Sequence, residues 1–208
     1  MFQPIPHQDR QERDMSTDPR PEISKGKAGR KFPRRFFGDR RGSTAIEFAM
    51  LALPFALLVF AILESCISFA GQEVMANVTD DVARQLRTGQ LKQADMTGTK
   101  LRDMICSRLE IVVAKTCPGL LVDLREYPTF ADAATAGFKI AGGEIVLTGT
   151  PTTTFTVTPG LAESKNMLRV FYKWPVMTDF LAKSMANLND GNTLHFASAI
   201  WQNEPFDD

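Results

Sequence analysis

The chain has 208 residues, of which 44% are hydrophobic, and this is enough for one modest core beside accessory segments. Its 24 basic and 24 acidic residues balance, but residues 1–42 hold 11 basic against 6 acidic residues, so the remainder is net acidic. Nucleic-acid binding needs a basic face on the folded part. The charge distribution therefore argues against a nucleic acid as partner.

The first segment is polar and basic. Residues 1–31 contain four prolines and little periodicity, so they bury too little apolar surface to offset the entropy of ordering the chain. We predict a disordered basic leader over residues 1–42. Met15 is an alternative start to Met1.

An apolar segment follows the leader. Residues 48–63 are apolar without interruption, and the flanking turns extend the run to the ~20 residues that a bilayer requires. We predict a transmembrane helix over 43–70. A secretory signal peptide is disfavoured by the length of the run and the lack of an A-x-A-like site; a buried core helix is the other alternative.

Basic residues stand directly before this apolar segment, with Arg40 and Arg41 nearest to it. Positive charge flanking a span is typical of its cytoplasmic side. The orientation predicted is a single pass through a bacterial inner membrane, with the N-terminus cytoplasmic and residues 71–208 periplasmic.

The helix is predicted to continue beyond the membrane. Val74, Val78, Val82 and Leu86 recur at helical spacing, and Gly89 is a suitable C-terminal stop. This gives one helix over 43–88, which Pro54 is expected to kink or locally melt.

The rest of the chain predicts an α+β domain. A second, shorter helix fits 97–113, and strand-like segments follow at 120–127, 143–147, 153–158, 167–174 and 193–202. Helices before strands favour a small antiparallel sheet packed on the amphipathic half of the long helix.

Chemistry-bearing residues are sparse. The sequence has two histidines, His7 in the leader and His195 within a strand pattern, and Gly142-Gly143 is interpreted as a turn. No catalytic constellation, cofactor or metal site is predicted, and the protein is not expected to be an enzyme.

All three cysteines follow the basic leader: one lies in the predicted membrane helix and two in the predicted periplasmic domain. Cys106 and Cys117 are disulfide candidates, because a periplasmic pair oxidises readily and the bond would stabilise the domain by roughly 2–4 kcal/mol. Two free thiols and a metal site are the alternatives. Cys66 at the membrane boundary is expected to pack, with an intermolecular bridge as the other possibility.

The most informative motif stands at the entrance of the apolar helix. Gly42, Ser43, Glu47 and Phe48 place a glycine after basic residues and a carboxylate five residues later. The motif resembles a type IV prepilin processing site. Together with GSTAIEFAMLALPFALLVFAILE, RTGQ, the cysteine pair and FYKWP, it resembles the TadE-like family of the tight-adherence pilus system.

This resemblance implies cleavage by a membrane prepilin peptidase after Gly42. Ser43 would become the first residue, and Glu47 would face the amino group of a neighbouring subunit, although an interfacial residue reaching water is the alternative for Glu47. Glu64 is interpreted as marking the periplasmic interface. Implied partners are the inner membrane, the prepilin peptidase, other pilins or minor pilins and the pilus assembly platform.

The function expected is that of a structural minor pilin or pseudopilin in pilus assembly, initiation or capping. An unprocessed, membrane-anchored periplasmic scaffold of the same secretion apparatus is the alternative. A periplasmic enzyme ranks third because the sequence lacks catalytic groups.

Overall fold

The computed structural model describes residues 43–92 and 95–206, so the predicted leader and Gly42 lie outside the described residues. Helix α1 covers Ser43–Arg87 and remains helical through Pro54. Gly89 follows it with a φ of 69°, a conformation that glycine adopts without steric cost. The end predicted for the long helix is confirmed.

Shorter elements follow α1 in the order helix, strand, helix, two strands, strand, helix, strand. They are α2 (Gly98–Leu109), β1 (Leu120–Tyr127), α3 (Phe130–Thr135), β2 (Gly137–Ala141), β3 (Glu144–Thr148), β4 (Lys165–Pro175), α4 (Asp179–Met185) and β5 (Asn192–Gln202). Helix α2 begins after Thr97, whose hydroxyl accepts a hydrogen bond from the backbone N–H of Lys100 at 3.3 Å. Such a cap satisfies one of the donors left free at a helix start.

Three strands form the main sheet, in the order β1-β4-β5, and both pairings are antiparallel. Strands β2 and β3 form a separate antiparallel hairpin across Gly142-Gly143, where both glycines have positive φ. The predicted α+β fold with a small antiparallel sheet is confirmed.

The two faces of the main sheet carry different layers, because successive strand residues point to opposite sides. Leu168, Val170, Tyr172 and Trp174 of β4 join the core that α1 and α2 cover. Phe171, between them, joins a second cluster on the other face. There its ring contacts Phe138, Phe155 and Phe196, with ring centroids 4.9–5.5 Å apart.

The strand predicted over 153–158 is wrong. Only Val157 forms an isolated bridge, with Leu124. Side chains bind other backbone groups of this segment, since Asp123 accepts from the N–H of Thr156 at 3.1 Å and Arg125 donates to the carbonyl of Thr154 at 2.5 Å. Groups engaged in this way cannot form a strand ladder.

Cys106 and Cys117 are joined in a disulfide, with their Cα atoms 5.8 Å apart. The bond connects the last turn of α2 to the turn before β1. Cys66 on α1 is a free, exposed thiol.

Candidate membrane helix and its contacts with the sheet

Within 43–92 and 95–206, one helix is long and apolar enough to cross a membrane, and that helix is α1. The large apolar side chains between Phe48 and Leu63 are exposed around the whole circumference. An apolar surface of this length facing water would be strongly unfavourable. The helix fits a single-pass membrane protein.

The residues of the predicted processing site lie at the start of this helix. Gly42 is outside the described residues, and α1 is described from Ser43 onward. Glu47 and Phe48 occupy the first turns and are exposed. Processing at this position stays a prediction.

The burial of helix α1 changes at Glu64, a residue within the segment predicted for the membrane. From there on, one side of the helix is buried at intervals of three or four residues because it packs against the sheet domain. The buried positions are Glu64, Ser68, Gly71, Met75, Thr79, Val82 with its neighbour Ala83, and Leu86.

Glu64 is buried, with only 8% of its surface exposed. Its carboxylate accepts hydrogen bonds from the hydroxyl and backbone N–H of Thr178, at 2.7 and 3.3 Å, and from the N–H of Met177. Thr178 is the N-cap of α4 and makes no cap bond of its own. Glu64 therefore binds the start of α4, a role that its position in the sequence does not reveal.

Ser68 lies one turn further along α1 and contacts His195. The hydroxyl of Ser68 is 3.0 Å from Nε2 of His195, and the imidazole stacks on Trp174 with ring centroids 4.8 Å apart. Trp174 in turn covers Gly71, where a Cβ would lie 2.3 Å from the indole ring. A side chain at position 71 would displace Trp174. His195 is a strand residue, as predicted, and it also joins the strand to the helix.

Gln72, four residues beyond Ser68, makes a third polar contact between α1 and the sheet domain. Its side-chain amide donates to the carbonyl of Phe196 at 2.8 Å and accepts from the N–H of Phe196 at 3.2 Å. These are backbone groups on the outer edge of β5, which would otherwise be unpaired. We call Glu64, Ser68 and Gln72, which follow one another at four-residue spacing, the polar ladder of α1. It binds the sheet domain to the helix directly beyond the apolar run.

The long helix α1 also matches a known protein family. Residues 42–84 match the family model described as TadE-like protein. Neither curated proteins nor solved structures give a match. The resemblance to the TadE-like family stated from the sequence is confirmed over residues 42–84, and this family suggests a Tad pilus-associated protein.

The TadE-like segment comprises nearly all of α1, including the polar ladder, whereas the sheet lies outside it. The match begins at Gly42, the first residue of the predicted processing motif. No group of three or more His, Cys, Asp or Glu side chains in the described part of the chain is arranged to hold a metal ion.

A buried ionic network stabilises the sheet domain outside the TadE-like segment. Asp123 lies between two arginines, with Oδ2 2.7 Å from Nη2 of Arg169 and Oδ1 2.9 Å from Nε of Arg125. Arg169 also donates to the carbonyl of Gly137 at 3.1 Å, and Arg125 donates to Oγ1 of Thr152 at 3.1 Å. The network connects the main sheet to the β2–β3 hairpin and to the segment around Thr152.

The contact between His195 and the TadE-like helix predicts a pH dependence. Burial lowers the pKa of His195 from 6.5 to about 4. The unfolded chain therefore takes up a proton at a pH where the folded domain keeps the imidazole neutral. The stabilising contribution of His195 is complete above pH 6.5 and declines as the pH falls toward 4.

We expect the urea midpoint of the full chain in detergent, followed by tryptophan fluorescence, to fall between pH 7 and pH 5. His195→Gln should reduce this fall, because glutamine does not titrate. An equally steep fall in the variant would assign the pH dependence to other groups.

Proposed function

We propose that the protein is a minor pilin or pseudopilin of a tight-adherence pilus, taking part in its assembly, initiation or capping. In this proposal a prepilin peptidase cuts the bond between Gly42 and Ser43 on the cytoplasmic face of the inner membrane. The single observation that carries the proposal is the coincidence of two boundaries in the sequence. The basic segment ends at Arg41, and the TadE-like match begins at Gly42, directly before the apolar helix.

Each part of the molecule then has a defined task. Residues 1–42 are the leader that is removed, and the apolar part of α1 keeps the subunit in the inner membrane until the assembly platform withdraws it. Glycine before the scissile bond leaves the backbone unhindered for the peptidase. After cleavage, Glu47 is the fifth residue of the mature chain and offers a carboxylate to the amino terminus of a neighbouring pilin.

The polar ladder supports this proposal because withdrawal from the membrane must move helix and domain together. Glu64, Ser68 and Gln72 connect the sheet domain to α1 through hydrogen bonds, of which the Ser68–His195 bond is buried and the others are partly buried. Buried hydrogen bonds are costly to leave unmade. The periplasmic sheet would therefore follow the helix as one unit into lateral contacts with other subunits.

An unprocessed scaffold of the secretion apparatus is the second candidate, favoured by the length of the segment before Gly42. Counted from Met1 up to and including Gly42, that segment has 42 residues, and it remains long when counted from Met15. A scaffold would retain it as a cytoplasmic extension and use the same membrane helix as a permanent anchor.

The N-terminus of the mature chain separates the two candidates. We expect N-terminal sequencing of protein isolated from membranes to give Ser43 as the first residue. A start at Met1 or Met15, in cells that process other pilins, would contradict cleavage and favour the scaffold.

A further inference from the structure

We propose that the connection between β4 and β5 contacts the surface of the phospholipid bilayer. The contact surface comprises residues 175–178 together with α4, and we call it the membrane-proximal rim. The proposal rests on the part of the proposed function in which α1 spans a membrane. It adds a second membrane contact, made by the folded domain, to the one made by the helix.

The course of β4 directs the rim toward the membrane segment. Near the start of the strand, Asn166 lines a small cavity with Leu86, at the far end of α1. Near its end, Trp174 covers Gly71, and the following residues reach Glu64. Strand β4 therefore runs along α1 toward the apolar run, and the chain turns back into β5 where it arrives there.

The depth of the rim follows from the length of the apolar run. Residues 48–63 cover about 24 Å of helix at ~1.5 Å per residue, less than the ~30 Å of a hydrocarbon core. The remaining distance must come from the flanking turns, and on the exposed side of α1 these stay apolar, with Ile67 and Phe69 beyond Glu64. Glu64 therefore lies just inside the boundary between acyl chains and headgroups.

The surroundings of Glu64 fit this depth. A carboxylate at a membrane boundary normally extends toward water, but that of Glu64 is buried and accepts hydrogen bonds from Thr178 and Met177. Because the bond from Met177 uses its backbone N–H, the rim is fixed at the level of Glu64 and the Met177 side chain is free of this contact. That side chain is 69% exposed.

Helix α4 lies across α1 at the same level. Its N-cap, Thr178, is bound by Glu64, and Met185 near its end contacts the adjacent residue of α1, Ser65, with Sδ and Oγ 4.0 Å apart. A helix whose two ends meet neighbouring residues of a spanning helix runs roughly along the membrane plane. Met177 offers an apolar side chain to the acyl boundary, and exposed Lys183 offers a cation to lipid phosphates.

The test places a fluorophore on the rim of the full-length protein in vesicles of phosphatidylcholine and phosphatidylglycerol. Cys66→Ser first removes the free thiol, and Met177→Cys is then labelled with an environment-sensitive dye. The matched control is Ile111→Cys. Ile111 is 77% exposed and follows α2, whose Arg108 pairs with Asp81, seventeen residues beyond Glu64 on α1.

We expect headgroup spin-labelled lipid to quench the dye at position 177 by about twofold more than at position 111, because a shallow insertion of ~5–10 Å reaches the headgroup layer. Aqueous iodide should show the opposite order. Equal quenching at both positions would overturn the proposal.

A third variant, Leu57→Cys, separates failure of the rim from failure of the membrane span. Quenching by acyl-chain spin label at position 57 without quenching at 177 contradicts the rim alone. Absence of quenching at both positions contradicts the span as well.

Discussion

Replacing Asp123 with asparagine is expected to lower the free energy of unfolding by about 3–5 kcal/mol, because it leaves two buried guanidinium groups without a counter-charge. Asp123 and Arg169 are fully buried and Arg125 nearly so. Asp123 also accepts from the N–H of Thr156, so its loss releases the segment that Arg125 binds. The measurement is urea unfolding of the full chain in detergent, followed by tryptophan fluorescence.

Asp103→Asn is the matched control. The side chain of Asp103 is 74% exposed and lies 3.8 Å from Arg102. A surface pair of this kind contributes less than about 1 kcal/mol. If both variants unfold at the same urea concentration, the Asp123 network does not stabilise the domain as described.

Variants of Gly42 and Glu47 are expected to fail at different steps of the pathway. Gly42→Ala should make full-length precursor the main species in membranes, because a side chain at the scissile bond hinders the peptidase. Glu47→Gln should be cleaved normally, since the carboxylate lies beyond that bond, yet form few or no pili. A neighbouring amino terminus would then lack its counter-charge in a medium where an unpaired charge is costly.

The readouts are the precursor-to-mature ratio on a denaturing gel and the amount of surface pili. Glu47→Asp serves as the control, since it keeps the charge with a shorter reach and should assemble to an intermediate level. If Glu47→Gln forms pili at the wild-type level, the carboxylate of Glu47 is not needed for assembly and serves only as an anchor at the membrane interface. The scaffold would then become the preferred function.

The elements that sequence predicted well are those with strong local signals. The long helix was predicted over 43–88 and found at Ser43–Arg87, because an apolar run, an amphipathic continuation and a terminal glycine all mark it. Strand β1 was predicted with the observed bounds, since LLVDLREY alternates and follows Pro118-Gly119. Both signals come from residues within the element itself or directly beside it in the sequence.

The contacts that position the domain on the helix had no such signal. Glu64 and Thr178 are 114 residues apart, and Ser68 and His195 are 127 apart. Helix α4 went unpredicted for the same reason, because its start is bound by Glu64 rather than by a cap of its own. In the segment 153–158, β-branched residues favoured a strand, but bonds to Asp123 and Arg125 prevailed.

The orientation of the chain in the membrane is the premise shared by both candidate functions, and a pair of fusions tests it most directly. A reporter that is active only in the periplasm should work when it is fused after Asp208 and should remain inactive when it is fused before Phe32. The basic residues before the apolar run motivate this expectation. Activity of the fusion before Phe32, with none after Asp208, would contradict the pilin and the scaffold alike.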